Sequence, residues 1–156
     1  MPGFVVVGTI WGDEGKGKTV DLLSPDIDVA VRYQGGPNAG HTIYHKGKNF
    51  VTHHIPSGIF FGIKSIIGPG CVLNPSTFLE EVKMLEKNGI RTKGNIFIAY
   101  NTHIITDGHR KEENSESKIC TTRTGNGPAY RDKYIRVGKR AEDVGELKDY
   151  LIDLYT

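Results

Sequence analysis

Two carboxylates stand inside a loop that is otherwise composed to hold phosphate. The stretch Gly8-Thr9-Ile10-Trp11-Gly12-Asp13-Glu14-Gly15-Lys16-Gly17-Lys18-Thr19 follows the apolar run Phe4-Val5-Val6-Val7 and leads into Val20-Asp21-Leu22-Leu23. From Gly12 to Thr19 it has the spacing G-x-x-x-x-G-K-[ST] of a nucleoside-triphosphate loop. Glycines let backbone N–H groups close on an anion, and the helix N-terminus adds its own donors. Gly12, Gly15, Lys16, Gly17 and Lys18 are therefore nucleotide-binding candidates. Asp13 and Glu14 do not belong in such a cradle, because a carboxylate near a triphosphate is repelled unless a cation lies between them or the carboxylate does chemistry there. Asp13 is a candidate metal ligand or base. The plainer reading is that both side chains turn to solvent, and it weighs more for Glu14 than for Asp13.

A second glycine-rich turn, Gln34-Gly35-Gly36-Pro37-Asn38-Ala39-Gly40-His41-Thr42, follows the apolar run Val29-Ala30-Val31-Arg32-Tyr33. Ligands of open α/β sheets collect at the C-terminal ends of strands, so both glycine loops should face one cleft, with His41 near the phosphates. Asn38 and Gln34 either offer amide groups to a ligand or stitch the turn to itself. A third stretch, Cys120 to Arg136, combines hydroxyls, glycines and basic side chains, the groups that orient and neutralise a phosphate monoester. His45, His53 and His54 do not read as a metal site. Neighbours on a strand point to opposite faces, and no Cys or carboxylate has the spacing to complete a ligand set.

These loops need a sheet behind them. Residues 4–8 read as a strand buried on both faces, 16–23 as a helix ended by Ser24-Pro25, and 29–33 as a neighbouring strand, a unit whose home is a parallel sheet. Residues 43–54 read as a hairpin with Lys46-Gly47-Lys48-Asn49 at its tip, and Ile55-Pro56-Ser57-Gly58-Ile59 as a turn. Short strands follow at 65–68 and 72–73. Asn74-Pro75 starts a helix whose Phe78, Leu79, Val82 and Leu85 form an apolar stripe up to Asn88-Gly89. Strands are expected at 95–100 and near 103–105. The polar stretch 108–118 is either a solvated helix or a mobile loop, with weak order expected. A last helix is expected over 143–155 from the spacing of Leu147, Tyr150, Leu151 and Leu154. The fold class is α/β: a phosphate-loop-type, mostly parallel sheet flanked by helices, with a small β-hairpin excursion.

The 156 residues, 37% of them hydrophobic, suffice for one domain with a core. A net charge of +2 with interspersed signs argues against nucleic acid or a membrane surface as partner. No apolar run is long enough to span a bilayer, and the first residues lack a leader's pattern, so the expected compartment is the cytoplasm. Cys71 and Cys120 show no metal spacing.

With these residues collected, the sequence resembles the adenylosuccinate synthetase family, whose members join IMP to L-aspartate at the expense of GTP. The resemblance rests on Trp11 to Lys18, Arg32 to Gly36 with Asn38 to Thr42, Ile55 to Gly58, and Thr121-Thr122 with Gly127 to Tyr130. It implies Asp13 as the base that removes the N1 proton of IMP and as a ligand of Mg²⁺, the expected cofactor, with the Gly40 carbonyl as another ligand. It implies His41 as the acid at the β- and γ-phosphoryl oxygens and Lys16 as a stabiliser of transferring charge. Gly12, Asp13, Glu14, Gly15, Lys16, Gly17, Lys18, Gly40, His41 and Thr42 would line the GTP site. Asp13, Lys16, Asn38, Ala39, Gly40, His41, Thr122 and Arg136 would meet IMP, Arg136 from across a homodimer interface. The sequence departs from the family at Ile10, where Gln is common, and at Arg123-Thr124-Gly125-Asn126-Gly127, where Gly-Arg-Gly-Ile-Gly is usual. Family members are also about twice as long or more, and the guanine-specifying and aspartate-binding segments of their second half are not in this sequence. The chain thus reads as the N-terminal portion of such an enzyme, its second half missing or on a second polypeptide. The competing expectations are another phosphate-loop kinase or ligase using ATP, or a non-catalytic nucleotide-binding module that needs a partner chain.

Overall fold

A computed structural model describes residues 3–9, 12, 14–115 and 121–154. Four strands form a parallel sheet: β1 (Val29–Arg32), β4 (Lys64–Ile67), β6 (Ile96–Ala99) and β8 (Leu151–Ile152), in the order β1-β4-β6-β8. Two smaller pairs accompany it. β2 (His41–His45) and β3 (Lys48–Thr52) make the antiparallel hairpin, and β5 (Val72–Leu73) lies parallel to β7 (His103–Ile104). The hairpin turns on Lys46 and Gly47, whose φ of 48° and 80° supply the two left-handed residues that a tight two-residue turn demands.

The helices are α1 (Lys16–Leu23), α2 (Pro75–Lys87), α3 (Asp107–Ser115) and α4 (Asn126–Tyr134). α2 starts where its sequence says it must. The Asn74 side chain accepts the Thr77 N–H at 3.2 Å, Pro75 occupies the first turn, and Gly89 with φ of 75° follows the last residues. Its stripe of Phe78, Val82 and Leu85 is wholly buried and joins Ile55, Ile59, Ile67, Leu73, Ile96, Ile98 and Leu147 in one core. Phe78 meets Tyr150 edge-on with ring centroids 5.1 Å apart. Of the two readings of the polar stretch, residues 107–115 take the helix, and 116–120 lie outside the described residues. α3 is held by side-chain pairs rather than an apolar face: buried His109 accepts the Thr106 N–H and meets Asp132 of α4 at 3.0 Å, while Glu112 pairs with Arg131.

Two expected elements are corrected. The segment 143–155 is not a continuous helix. Short 3-10 turns at Ala141–Asp143 and Gly145–Tyr150 lead into β8, because Leu147 fills the core and the chain then has to extend to reach the free edge of β6. Residues 4–8 form no strand. Phe4, Val5 and Val7 are 68%, 75% and 61% exposed, and a gap of about 680 Å³ separates this segment from β1. An all-apolar strand needs cover on both faces and a paired edge. Across the gap the described residues set the flank of β1 together with Val20, Leu23 and Ile27, and none of them pairs with the segment as a strand.

Candidate active site

Gly15 begins α1 in the left-handed region at φ of 79°, and no side chain caps the helix. Its first-turn N–H groups are therefore left for a ligand. Gly12 has a φ of 101°, a conformation that side-chain-bearing residues rarely adopt. Lys16 Nζ meets Glu14 Oε2 at 2.8 Å and reaches the Gly12 carbonyl at 3.4 Å. Glu14 is exposed and pairs with Lys16 across the loop. Gly8 lies close beneath this pair: a Cβ there would stand 2.4 Å from Nζ and would displace the tips of both side chains. Lys18 is exposed on α1. Asp13, the residue on which the chemical reading turns, lies outside the described residues, as do Ile10 and Trp11.

His41, the first residue of β2, leans on that helix. A Cβ on Gly17 would fall 2.5 Å from His41 Nδ1, so the ring sits against the first turn of α1 with only glycine between them. The two glycine loops face one cleft, of about 280 Å³, whose walls include Lys16, Gly17, Arg32, Gln34, His41 and Ser57. Burial holds the His41 imidazole below its ordinary pKa, and the charges of Arg32, His53 and Lys16 push the same way. Ala39, Gly40 and Thr42 are exposed beside it, and Ala39 accepts from or abuts His53 Nδ1 at 3.3 Å.

Several residues that build this cleft went unassigned in the sequence reading. Arg32 sends Nη2 to the Gly36 carbonyl at 2.7 Å and Nη1 to the His53 carbonyl, tying the second loop to the hairpin. Glu81 of α2 is buried and accepts the backbone N–H groups of His53, His54 and Ile55 at 2.7 to 3.2 Å. Its burial raises its pKa and those three donors oppose the rise. A carboxylate at position 81, on the stripe of Phe78, Val82 and Leu85, was the available signal. His54 accepts the Asn74 N–H on Nε2 and is 1% exposed; burial first, then Arg32 and His53, lower its pKa to about 3. It is a neutral structural imidazole.

α4 carries the third motif against the second. Tyr130 takes the Gly35 N–H at 2.8 Å and donates to Gly70 at 3.0 Å, and Asn126 Nδ2 donates to Asn38 Oδ1 at 2.7 Å. Thr122 Oγ1 lies 3.0 Å from Thr124 Oγ1 in an exposed turn. Arg136 is not brought to the cleft. It follows the other end of the nine-residue α4, roughly 13 Å from that helix's start, at φ of 65° and among the exposed Tyr134, Ile135 and Val137.

A glycine loop opening a helix beside a parallel sheet, with a second glycine loop pressed on that helix, defines an α/β protein of the phosphate-loop class. Comparison with known proteins narrows the class: the model of the adenylosuccinate synthetase family matches residues 5–154, and the chain belongs to that family. It is 46% identical over 159 residues to adenylosuccinate synthetase of Salinibacter ruber, which covers 92% of this chain and 36% of the relative. With the enzyme of Lactococcus lactis subsp. lactis it shares 50% over 151 residues, 92% of this chain and 35% of that one. Fully ligated adenylosuccinate synthetase from Plasmodium falciparum superposes with a TM-score of 0.74 at 33% identity, over 90% of this chain and 34% of that one. A cyanophage S-2L succinoaminodeoxyadenylate synthetase bound to dGMP and to dATP as energy donor superposes at 0.72 with 25% identity, over 92% and 43% of the two chains. The chain spans about a third of the length of the curated relatives it matches. No helix among the described residues is long and apolar enough to cross a membrane.

Proposed function

We infer that this chain carries the phosphoryl-transfer part of a cytoplasmic, GTP-dependent ligase that makes adenylosuccinate from IMP and L-aspartate. The observation that supports it most is the His41 ring lying on Gly17 beside Lys16. Asp13 takes the N1 proton of IMP, and O6 then attacks the γ-phosphoryl group, releasing GDP. His41 donates to the β- and γ-phosphoryl oxygens as charge builds there, and Lys16 with the α1 amides holds that charge. The aspartate amine next displaces phosphate from C6. By itself the protein holds the His41 pKa below its ordinary value; an anionic phosphate laid beside the ring works in the opposite direction and readies it to donate. The Asp13 carboxylate and the Gly40 carbonyl are hard oxygen donors that fit Mg²⁺, which would neutralise phosphate charge when bound. Gly12, Glu14, Gly15, Gly17, Lys18 and Thr42 flank the GTP phosphates. Asn38, Ala39, Gly40 and Thr122 meet IMP. The exposed Tyr134-Ile135-Arg136-Val137 edge suits a homodimer contact that lets Arg136 enter the neighbouring site.

The test is adenylosuccinate formation by the purified chain with IMP, L-aspartate, Mg²⁺ and either GTP or ATP, with Asp13→Asn as control. Product that needs GTP and Asp13 upholds the reading, and turnover retained by Asp13→Asn sinks the base assignment. The dATP-bound cyanophage protein favours a second reading, an adenine nucleotide as donor, and a preference for ATP would establish it.

A further inference from the structure

Asn126 opens α4, yet its side chain leaves its own helix for the second glycine loop, 88 residues earlier in the chain, where Nδ2 donates to Asn38 Oδ1 at 2.7 Å. The contact is built from both sides. Gly36 makes room for it, since a Cβ there would stand 2.5 Å from Asn126 Oδ1, and Tyr130 of the same helix fixes the neighbouring Gly35. Asn126 Oδ1 is buried and accepts no hydrogen bond. A buried acceptor without a donor costs about as much as one ordinary hydrogen bond returns, or more. An apolar side chain would therefore serve packing alone at least as well, and the amide has another task.

That task is visible at Asn38. A side-chain amide has an acceptor end and a donor end with two hydrogens. Asn126 occupies the acceptor end, so the exposed Asn38 shows its NH₂, for which the described residues provide no acceptor. Two N–H donors suit an oxygen anion and oppose a ligand's own donor. We propose that Asn126 is a positioning residue: it orients the Asn38 amide, donors outward, so that this loop selects phosphorylated over unphosphorylated nucleosides. The proposal rests on the reading of the cleft as a purine nucleotide site.

The test compares IMP with inosine by calorimetry on the full chain. Asn126→Ala raises the IMP Kd about 3- to 10-fold, the loss of one oriented hydrogen bond, and leaves inosine unchanged. In an Asn38→Ala background the same change moves the IMP Kd by less than about 2-fold. Asn126→Asp cannot donate to Oδ1, so the Asn38 amide turns its carbonyl outward and the loss exceeds that of Asn126→Ala. Only the plain charge repulsion survives in the Asn38→Ala background. Equal losses in both backgrounds overturn the proposal. Side-chain amide NMR provides a readout without ligand: the Asn38 NH₂ pair is ordered in the parent chain and averages in Asn126→Ala, and an unaltered pair overturns the positioning. A parent chain that fails to bind IMP while Asn126→Ala still frees that pair upholds the positioning and removes the nucleotide reading instead.

Discussion

α1 and α2 lie in the same chain and differ in what they lean on. α2 buries Phe78, Glu81, Val82 and Leu85 and is capped by Asn74, whereas α1 buries no residue, has no side-chain cap and leaves Leu22 72% exposed. α2 is a helix made by its core. α1 keeps its first-turn N–H groups free of any side-chain cap, and a cap that stabilised it would occupy the donors the proposed function assigns to phosphate. The difference separates a buried shelf, residues 55–105, from an exposed arm around α1.

The largest expected break in that comparison is Phe78→Ala, which should cost about 3–5 kcal/mol by chemical denaturation, while Leu22→Ala changes stability by less than about 0.5 kcal/mol. Comparable losses would erase the distinction. Acid comes next. The His54 pKa falls to about 3 in the folded chain, so below its ordinary value of about 6.5 the unfolded chain binds the extra proton and folding weakens as pH falls. Between pH 6.5 and 4 this removes about 3 kcal/mol, fully restored above pH 6.5, and His54→Gln should flatten that slope. His41, also lowered, adds a smaller loss of the same sign. Asn74→Ala should remove about 1 kcal/mol from the shelf, read as a drop in thermal midpoint. The smallest effect on stability belongs to Gly17→Ala, within about 0.5 kcal/mol, because helix propensity gained offsets the displaced His41 ring. Its sharper readout is ligand: GTP should raise the His41 pKa in NMR titration of the parent chain and fail to do so in the variant, while His54 stays unmoved in both.

Much of the shelf was legible. The Asn74-Pro75 start and the stripe of α2 follow from local rules that need no distant partner; so does the neighbouring hairpin, although its tip is Lys46-Gly47 alone and Lys48-Asn49, expected in the tip, belong to β3. The arm was not, because Phe4 to Val7 reads as a doubly covered strand only if cover exists, and a run of apolar residues carries no record of its neighbours. The 143–155 segment failed for a related reason: Leu147, Tyr150, Leu151 and Leu154 have helical spacing, but the open edge of β6 recruits Leu151 and Ile152 as strand. Within the site, the meeting of His41 with α1 was foreseeable from two glycine loops in an α/β order. The roles of Arg32, Glu81 and Asn126 were not, since each works by reaching backbone or side chains 21 to 88 residues away.

The order β1-β4-β6-β8 runs across the sheet in the same direction as along the chain. A nascent polypeptide emerging at about 5–20 residues per second would therefore meet each neighbour already made. β4 arrives to find β1 waiting, β6 to find β4, β8 to find β6, and none of these has to wedge itself between two earlier strands. Across these four strands the sheet can be assembled by accretion during synthesis, one edge at a time, each strand joining a row already laid down.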